Sequence, residues 1–509
     1  MTLFLRRNAP LFYALGAMLA LYIPWLNRGY LNWEWPHVLA GEALAYPEKI
    51  ELLDAYWSTS QANPLGLPLL NALLQRLVPW TDDPWVWRIP SLVGCGLIIT
   101  WGWLVREEFG KNSRNNFYAW GLLLATSPMI IAFSTHATSD LLPVGILFIS
   151  FWCLQHFTKT ENFCYLLASA VLFGLSSTTR YIAPYFAGYV IYVFLTSRLE
   201  WNKRILNLAL FGSISTLILV AEIAWKLLKF DVFVSTKLSE NRPKFLDFSN
   251  WFLVLFKYFS FIGIFSGFIP IFLAWKKVRS TNFQIRHVLF VMVSAVFAIF
   301  STQPIYEGEL DFGGGHSFSR ELQEFFIIAG FLNFVLVIYC VMDERGVPNK
   351  FQTAWKFGLI PYLVLISASR PTQRYLIYAI PIVLFLLIRL TSNLSRFTRF
   401  LAIGSTALGF AAVSLLGMSY LTSQGNASEE MAVWVEENDL ISQTSVGAIS
   451  PHAGQHFWGV KTTELRYEII AVTPATESQV RERVLHREPM KVLGKVTRVY
   501  LLREIPASP

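Results

Sequence analysis

The chain has 509 residues, of which 54% are hydrophobic and 15% are charged, and its mean hydropathy is +0.44. Soluble domains are about one quarter charged, so this composition excludes an ordinary set of soluble globular domains. The formal charge is +8. The basic residues lie in short clusters between apolar runs and not in one patch or tail, which argues against a nucleic-acid-binding protein.

Apolar runs of roughly 17 to 25 residues, the length that crosses the hydrocarbon core of a bilayer, repeat through most of the chain. About thirteen such runs predict an all-α polytopic membrane protein. The segment 64–78 is apolar but short and is bracketed by prolines, so we expect an interfacial or re-entrant helix there. The predicted spans lie near residues 11–27, 86–105, 117–135, 140–157, 163–179, 181–197, 204–228, 250–274, 286–302, 322–342, 355–369, 374–390 and 400–421.

The positions of the basic residues predict how the chain is oriented. Short loops rich in Lys and Arg remain in the cytoplasm, and with thirteen spans all such loops fall on the side of the N-terminus. The N-terminus is therefore predicted to be cytoplasmic and the C-terminus extracytoplasmic. The residues concerned are Arg106, Lys111, Arg114, Arg198, Lys203, Arg204, Lys276, Lys277, Arg279, Arg286, Arg345, Lys350, Lys356, Arg396 and Arg399.

This topology divides the chain into two predicted domains. Residues 1–422 form a transmembrane domain with a first outer loop at 28–85, and residues 423–509 form a small soluble extracytoplasmic α/β domain. Within the second domain the residue patterns predict helices and strands. The predicted helices span 429–437 and 477–486, and the predicted strands span 444–449, 466–472 and 498–505.

The first candidate for chemistry is an acid just beyond the first predicted span. Glu34 lies in the segment Asn32-Trp33-Glu34-Trp35-Pro36-His37 on the predicted outer face. Partial burial would raise the pKa of its carboxyl and suit it to act as a general base. The alternative is a solvated loop acid beside an aromatic belt. Glu42 and Asp54 in the same loop are weaker candidates for the base.

Three arginines lie on the predicted outer side, against the trend of the basic loops. Arg180 falls between two apolar runs with almost no loop, and Arg370 and Arg374 lie four residues apart between two later runs. A guanidinium group binds a phosphate through two parallel hydrogen bonds, so these residues predict a site for a lipid phosphate. The alternative is that each arginine extends to the membrane surface without a ligand.

Two further sets of residues face the same predicted compartment. Asp140 lies at the outer start of a helix, where it acts as a cap or as a second catalytic carboxylate or metal ligand. A glycine-rich loop follows near residue 310, and we prefer a lid over the acceptor to a metal site because its spacing matches no closed metal motif. A divalent metal stays open, and no other cofactor is indicated. The loop carries Glu307, Glu309, Asp311, His316 and Arg320.

The order of these features resembles the GT-C superfamily of integral-membrane glycosyltransferases, in the branch of protein O-mannosyltransferases and bacterial aminoarabinose lipid A transferases. One difference is Trp33, which stands where the family usually has an Asp before the Glu. The motifs that carry the resemblance are Glu34 after the first helix, Asn63-Pro64-Leu65-Gly66-Leu67-Pro68-Leu69-Leu70, Arg88-Ile89-Pro90-Ser91, Ser127-Pro128 before Asp140, Gly174 to Arg180, and Arg374-Tyr375-Leu376 to Pro381.

The resemblance implies a GT-C-like fold and an enzyme that transfers a sugar from a polyprenyl phosphate-linked donor to an acceptor on the outer face, with inversion at the anomeric carbon. The acceptor would be a glycolipid, a polysaccharide or a protein. Glu34 and Asp140 would be the catalytic carboxylates, and Arg374, Arg370 and Arg180 would bind the donor phosphate. A phosphodiester is already a good leaving group, so no general acid is needed.

Two other classes of function stay open at this stage. A flippase or transporter for lipid-linked sugars would place charges near the middle of the membrane and usually has repeat symmetry, whereas the candidate charges here cluster at one face. A non-catalytic envelope assembly protein would not need the carboxylates at all. Since the outer tail is small and contains only the sequon Asn426-Ala427-Ser428, we expect the bacterial inner membrane and not the endoplasmic reticulum.

Overall fold

The computed structural model describes residues 2–30, 34–60, 64–80, 83–110, 112–232, 248–280, 320–342, 349–368, 373–449, 456–457, 460, 465–480 and 482–505. The chain is mainly helical. In chain order the helices are α1 Thr2–Tyr22, α2 Glu34–Ala45, α3 Leu53–Ser60, α4 Gly66–Leu77, α5 Pro84–Leu104, α6 Ser113–Thr126, α7 Pro128–Ser134, α8 Leu141–Thr160, α9 Phe163–Thr179, α10 Ala187–Leu195, α11 Trp201–Phe230, α12 Phe248–Phe265, α13 Ile269–Ser280, α14 Arg320–Met342, α15 Lys350–Ser367, α16 Ile380–Thr391 and α17 Arg396–Glu437.

Within the described ranges, four helices are long and apolar enough to cross a membrane, or up to six if each of two bent pairs forms one span. The first bent pair, α6 with α7, turns by 67°, and the second, in α12 and α13, turns by 87°. The predicted count of about thirteen is therefore not confirmed, although α9, α16 and residues 183–195 are shorter apolar helices. The predicted span at 286–302 lies outside the described residues.

The predicted interfacial segment at 64–78 forms the short helix α4. Leu69, Leu73 and Leu77 follow one another at a spacing of four residues and are 44%, 53% and 60% exposed. Asn71 and Gln75 lie on the opposite side of the helix and are buried. Because residues four apart share a helix face, α4 is amphipathic, with an apolar edge available to lipid.

The helices α5 and α8 approach each other more closely than most side chains would allow. A Cβ atom added to Gly94 would lie 2.5 Å from the backbone carbon of Leu141, and one added to Gly145 would lie 2.4 Å from the carbonyl oxygen of Gly94. This contact holds the first turn of α8, which follows Asp140, against α5, the helix that carries Arg88. The packing of these two helices therefore positions two of the residues singled out in the sequence.

Aromatic side chains fill the centre of the helical part. Trp101 packs against several of them, and the centroid of its ring lies 4.8 to 5.9 Å from the centroids of four other rings. Such spacings and tilted geometries are favourable for aromatic pairs. The four partners are Trp120, Phe148, Trp355 and Phe385.

The C-terminal part contains a four-stranded sheet of β1 Thr444–Ser445, β2 Tyr467–Val472, β3 Val484–Val492 and β4 Lys495–Glu504, in the order β1-β2-β4-β3. The strands predicted at 466–472 and 498–505 are confirmed. Of the strand predicted at 444–449 only Thr444–Ser445 is a strand, and the helix predicted at 477–486 is wrong. Leu493 and Gly494 have φ values of 48° and 81°, so they form a two-residue hairpin turn between β3 and β4. The pairing with β4 makes residues 484–492 a strand.

Candidate active site

The centre of the site is the carboxylate of Glu34, which is fully buried at the start of α2. Its two oxygens accept hydrogen bonds from Nη1 of Arg28 at 3.0 Å and from Nε and Nη2 of Arg88, both at 3.0 Å. The backbone amide of Ala137 donates a further hydrogen bond at 2.6 Å. Four donors therefore surround one carboxylate, and the alternative of a solvated loop acid is wrong.

The two arginines of this cluster also bind backbone carbonyls, which fixes the chain segments around them. Arg88 donates to the carbonyl oxygens of Leu26 at 2.6 Å and of Gly29 at 3.1 Å. Arg28 donates to the carbonyl oxygen of Thr135 at 2.8 Å. The cluster thus joins the chain after α1, the start of α2, helix α5 and the loop before α8. We call Arg28, Glu34 and Arg88 the ion cluster.

The expected pKa of Glu34 is wrong in direction. Burial alone raises the pKa of the carboxyl, but Arg88 and Arg28 more than offset this, so its pKa lies well below the usual range. The prediction assumed a carboxylate that is partly buried and unpaired. Because Arg88 lies 54 residues away in the sequence, its contact with Glu34 depends on the tertiary fold.

The second predicted carboxylate, Asp140, pairs with a predicted phosphate-binding residue. Nη1 of Arg180 donates to Oδ1 of Asp140, and the two residues are only 7% and 2% exposed. Asp140 occupies the N-cap position of α8, but its side chain makes no capping hydrogen bond. The capping interpretation is therefore wrong, because the carboxylate contacts Arg180 instead of the helix amides.

Arg180 and Arg374 come from separate motifs and lie around one tyrosine. The guanidinium carbons of Arg180 and Arg374 lie 5.2 Å and 5.8 Å from the centroid of the Tyr375 ring. Nε of Arg374 has no protein hydrogen-bond partner among the described residues. Arg370 lies outside the described residues.

His37 lies beside these arginines and was missed as a site residue. It follows Glu34 by three residues on α2 and is 5% exposed. Its ring meets the Tyr56 ring edge-on, with 5.4 Å between centroids. Burial, followed by the charges of Arg180 and Arg374, lowers the pKa of His37 to about 3. The imidazole is therefore neutral at pH 7. The sequence gives no sign that His37 lies at this site, because Arg180 and Arg374 are distant from it in the chain.

A further buried ion pair, also missed, lies on α11. Lys226 Nζ is 3.3 Å from Oε1 of Glu222, and Glu222 also accepts hydrogen bonds from the amide of Leu65 at 3.1 Å and the hydroxyl of Tyr181 at 2.7 Å. Tyr181 follows Arg180 directly, so this pair adjoins the arginine site. The signal in the sequence was two opposite charges four residues apart inside an apolar run.

The other predicted residues lie elsewhere. Glu42 pairs with Lys49 at 3.2 Å at the surface, and Asp54 is exposed in the first turn of α3. Within the part of the chain that the structure describes, no group of three or more His, Cys, Asp or Glu residues could hold a metal ion. Arg320 is the first residue of α14. Glu307, Glu309, Asp311 and His316 lie outside the described residues, and the lid stays a prediction.

The long apolar helices are those of a polytopic membrane protein, and the described residues include buried arginine–carboxylate pairs. Residues 63–225 match the family model described as dolichyl-phosphate-mannose-protein mannosyltransferase. This segment contains α4 to α10, Arg88, Asp140, Arg180 and Glu222. The match over residues 63–225 bears out the resemblance to protein O-mannosyltransferases that the order of the motifs indicates.

Solved structures similar to the chain include two of ArnT from Cupriavidus metallidurans, each with 13% sequence identity. The structure bound to undecaprenyl phosphate has a TM-score of 0.48, and the match covers 99% of this chain and 99% of that one. The structure in the apo state has a TM-score of 0.47, with 98% of each chain covered. No curated protein sequence matches the chain.

Proposed function

We propose that the protein transfers a sugar from a polyprenyl phosphate-linked donor to an acceptor on the outer face of the membrane, with inversion at the anomeric carbon. The acceptor is a glycolipid, a polysaccharide or a protein. The match of residues 63–225 to a family of polyprenyl phosphate-dependent transferases supports the class of reaction. The observation that carries the proposal is the meeting of Arg180 and Arg374 around Tyr375.

In this proposal Arg180 and Arg374 bind the donor phosphate. Both guanidinium carbons lie within 6 Å of the centroid of the Tyr375 ring, and Arg374 is near enough to Arg180 for the two positive charges to repel, which supports an anion bound between them. Arg374 is partly exposed, and its Nε has no protein partner among the described residues. A departing phosphate gains negative charge, and preorganised guanidinium groups stabilise that charge in a site with little water. Arg370, four residues before Arg374, is proposed as a third contact on sequence grounds.

The two predicted catalytic carboxylates are proposed in a narrower role. Glu34 is ionised and accepts four hydrogen bonds, which makes it a poor proton acceptor at neutral pH. Its contacts fix Arg28, Arg88 and the loop that leads to Asp140. Asp140 in turn orients Arg180. We propose that both carboxylates are positioning residues, so their loss would impair turnover through the arginines they hold.

The test is single-turnover release of polyprenyl phosphate from a panel of radiolabelled polyprenyl phosphate sugars, with a membrane extract supplying acceptors. The wild-type protein should consume one donor. Arg374→Ala should weaken donor binding by about tenfold or more, because a charged hydrogen bond contributes about 1.5–3 kcal/mol. Arg396→Ala, an exposed arginine at the start of α17, is the matched control and should bind donor normally.

Three results would count against this proposal. Unchanged donor affinity in Arg374→Ala would remove that residue from the phosphate site. Consumption of no donor by the wild-type protein would overturn the transferase assignment. If labelled lipid then crossed the bilayer of proteoliposomes, the flippase alternative would replace it.

A further inference from the structure

Sugar transfer to a hydroxyl group requires a proton acceptor, and neither predicted carboxylate is suited to that task. Glu34 accepts four hydrogen bonds inside the ion cluster, and Asp140 is paired with Arg180. Each carboxylate would have to break a buried ion pair to take up a proton. Among the described residues of the site, a different side chain is better placed to accept the proton of the acceptor hydroxyl.

That group is the side chain of His37. His37 is only 5% exposed, and Nδ1 of its ring has no hydrogen-bond partner among the described residues. Beside it, Nδ2 of Asn71 on α4 donates to the His37 carbonyl oxygen at 3.4 Å, while Oδ1 of Asn71 also lacks a described partner. Burying two polar atoms without partners costs free energy, which is recovered if a ligand with hydroxyl groups binds there.

We infer that His37 is the catalytic residue that accepts the proton of the acceptor hydroxyl during sugar transfer. This inference rests on the proposed function and assigns one further residue to it. The groups that face the imidazole are Glu34 from its own helix, Tyr56 from α3, and Arg180 and Arg374 from the segments after α9 and before α16. The donor phosphate, bound by those arginines, would lie next to the ring.

The charges around His37 suit this role both before and after donor binding. Without an anion, burial and the charges of Arg180 and Arg374 keep the imidazole neutral, which is its basic form. The negative charge of a bound phosphodiester offsets the two guanidinium groups. The pKa of His37 then rises towards neutrality, where a general base is most effective. Donor binding therefore prepares the base for the reaction.

The chemical step balances with these groups alone. The acceptor oxygen forms a bond to the anomeric carbon as the bond from that carbon to the phosphate oxygen breaks. The electron pair of the broken bond leaves with the polyprenyl phosphate, which becomes a dianion held by Arg180 and Arg374. The hydroxyl proton moves to Nδ1 of His37. The resulting imidazolium lies beside the dianion, which has a second pKa of about 6 and takes the proton when it departs.

The experiment compares His37→Gln with the wild-type full chain in lipid nanodiscs. Displacement of radiolabelled undecaprenyl phosphate measures the phosphate site, and single-turnover release measures the chemistry. His37→Gln should bind undecaprenyl phosphate within about twofold of wild type and react about 10²- to 10⁴-fold more slowly. His156→Gln is the matched control, because His156 packs between the Trp152 and Tyr165 rings near the opposite end of α8, and it should react normally.

Two further readouts separate proton transfer from a purely structural role. Added imidazole should restore part of the activity of His37→Ala by entering the space that the substitution opens. The single-turnover rate of the wild type should rise with pH and level off above the pKa of His37 in the donor complex. His37→Gln should lack this rise, because the amide does not titrate.

Each contrary outcome has a distinct meaning. A wild-type rate in His37→Gln would overturn the assignment of His37 and leave the transferase proposal intact. Loss of undecaprenyl phosphate binding in His37→Gln would make His37 part of the phosphate site and overturn its role as base. Release of no polyprenyl phosphate by the wild-type protein, from any donor, would overturn both proposals together.

Discussion

At the scale of single residues, the ion cluster contains two positive charges and one negative charge with almost no exposed surface. Removing charges from water is costly, so the cluster is stable only while its partners remain in place. Replacing one partner leaves the other charges buried and uncompensated. The carboxylate of Glu34 is therefore more important to stability than a surface acid would be.

We expect Glu34→Gln to destabilise the protein by about 3–5 kcal/mol, because Arg28 and Arg88 would lose their common counter-charge. The change preserves the size of the side chain and one acceptor oxygen. The measurement is the midpoint of thermal unfolding in detergent. Glu42→Gln on the same helix is the control, since Glu42 forms only a surface pair with Lys49 and its loss should cost at most about 1 kcal/mol.

The pH dependence of stability has a definite sign. The native pKa of Glu34 lies below its ordinary value, so its contribution is complete above the ordinary carboxyl pKa of about 4.3 and is lost as the pH falls toward the native pKa. The wild type should therefore lose more stability than Glu34→Gln when the pH is lowered from 5. Equal midpoints of thermal unfolding for the wild type, Glu34→Gln and Glu42→Gln would contradict this contribution of the buried Glu34 charge to stability.

At the scale of elements, α11 is tied to the start of α4 by one side chain. Glu222 accepts the hydrogen bond of the Leu65 amide, which lies just before α4 and is fully buried. The same carboxylate binds Lys226 and Tyr181, so three elements converge on it. A buried amide that loses its acceptor has no water to replace it. The position of α4 thus depends on a residue about 160 positions away.

Glu222→Leu should therefore loosen the first turn of α4. The Leu65 amide would lose its acceptor and the Lys226 ammonium its counter-charge, so amide hydrogen exchange in residues 64–68 should become at least about tenfold faster. Residues 72–77, at the far end of α4, should change less. The measurement is hydrogen exchange followed by mass spectrometry.

The matched control for this change is the acid at the N-cap of the same helix. Glu200→Leu removes the exposed acid that precedes α11 and is 3.9 Å from Lys203. Exchange near Leu65 should be unaffected in that variant. If Glu222→Leu and Glu200→Leu gave the same exchange rates in residues 64–68, Glu222 would not hold α4 in place.

Some of the helices and part of the site could be predicted from the sequence. Apolar length predicted helices such as α8 and α11, and the prolines around α4 marked it as a short element, because these signals are local. The strand β3 was missed since its conformation depends on pairing with β4. The site was predicted in part: Arg180 and Arg374 stood out as outer charges, whereas the partners of Glu34 and the place of His37 follow from contacts between distant helices.

At the scale of the whole molecule, α17 connects the helical part to the sheet. Its 42 residues span about 63 Å, about twice the hydrocarbon thickness of a bilayer, so it extends well beyond the membrane. It runs without interruption through the predicted domain boundary at 422/423. Near that point the amide of Gly29 donates to Oδ1 of Asn426 at 3.0 Å. The sheet is therefore held on the same side as the ion cluster.

Because α17 carries the sheet to the side of the site, the orientation of the chain decides where sugar transfer would occur. The predicted topology places nine crossings, an odd number, between Cys164 and the sheet. Cys164 is exposed at the start of α9, and Ala475 is exposed in the turn after β2. These two positions should therefore lie on opposite sides of the membrane, with Ala475 outside.

A membrane-impermeant maleimide can test this arrangement in spheroplasts. Ala475→Cys, made in a Cys164→Ser background, should be labelled in intact spheroplasts, whereas Cys164 in the wild type should be labelled only after permeabilisation. The other three cysteines are buried and serve as the internal background. Labelling of both positions from one side would mean an even number of crossings between them. The reverse pattern would place the arginine site in the cytoplasm, where the proposed transfer on the outer face could not take place.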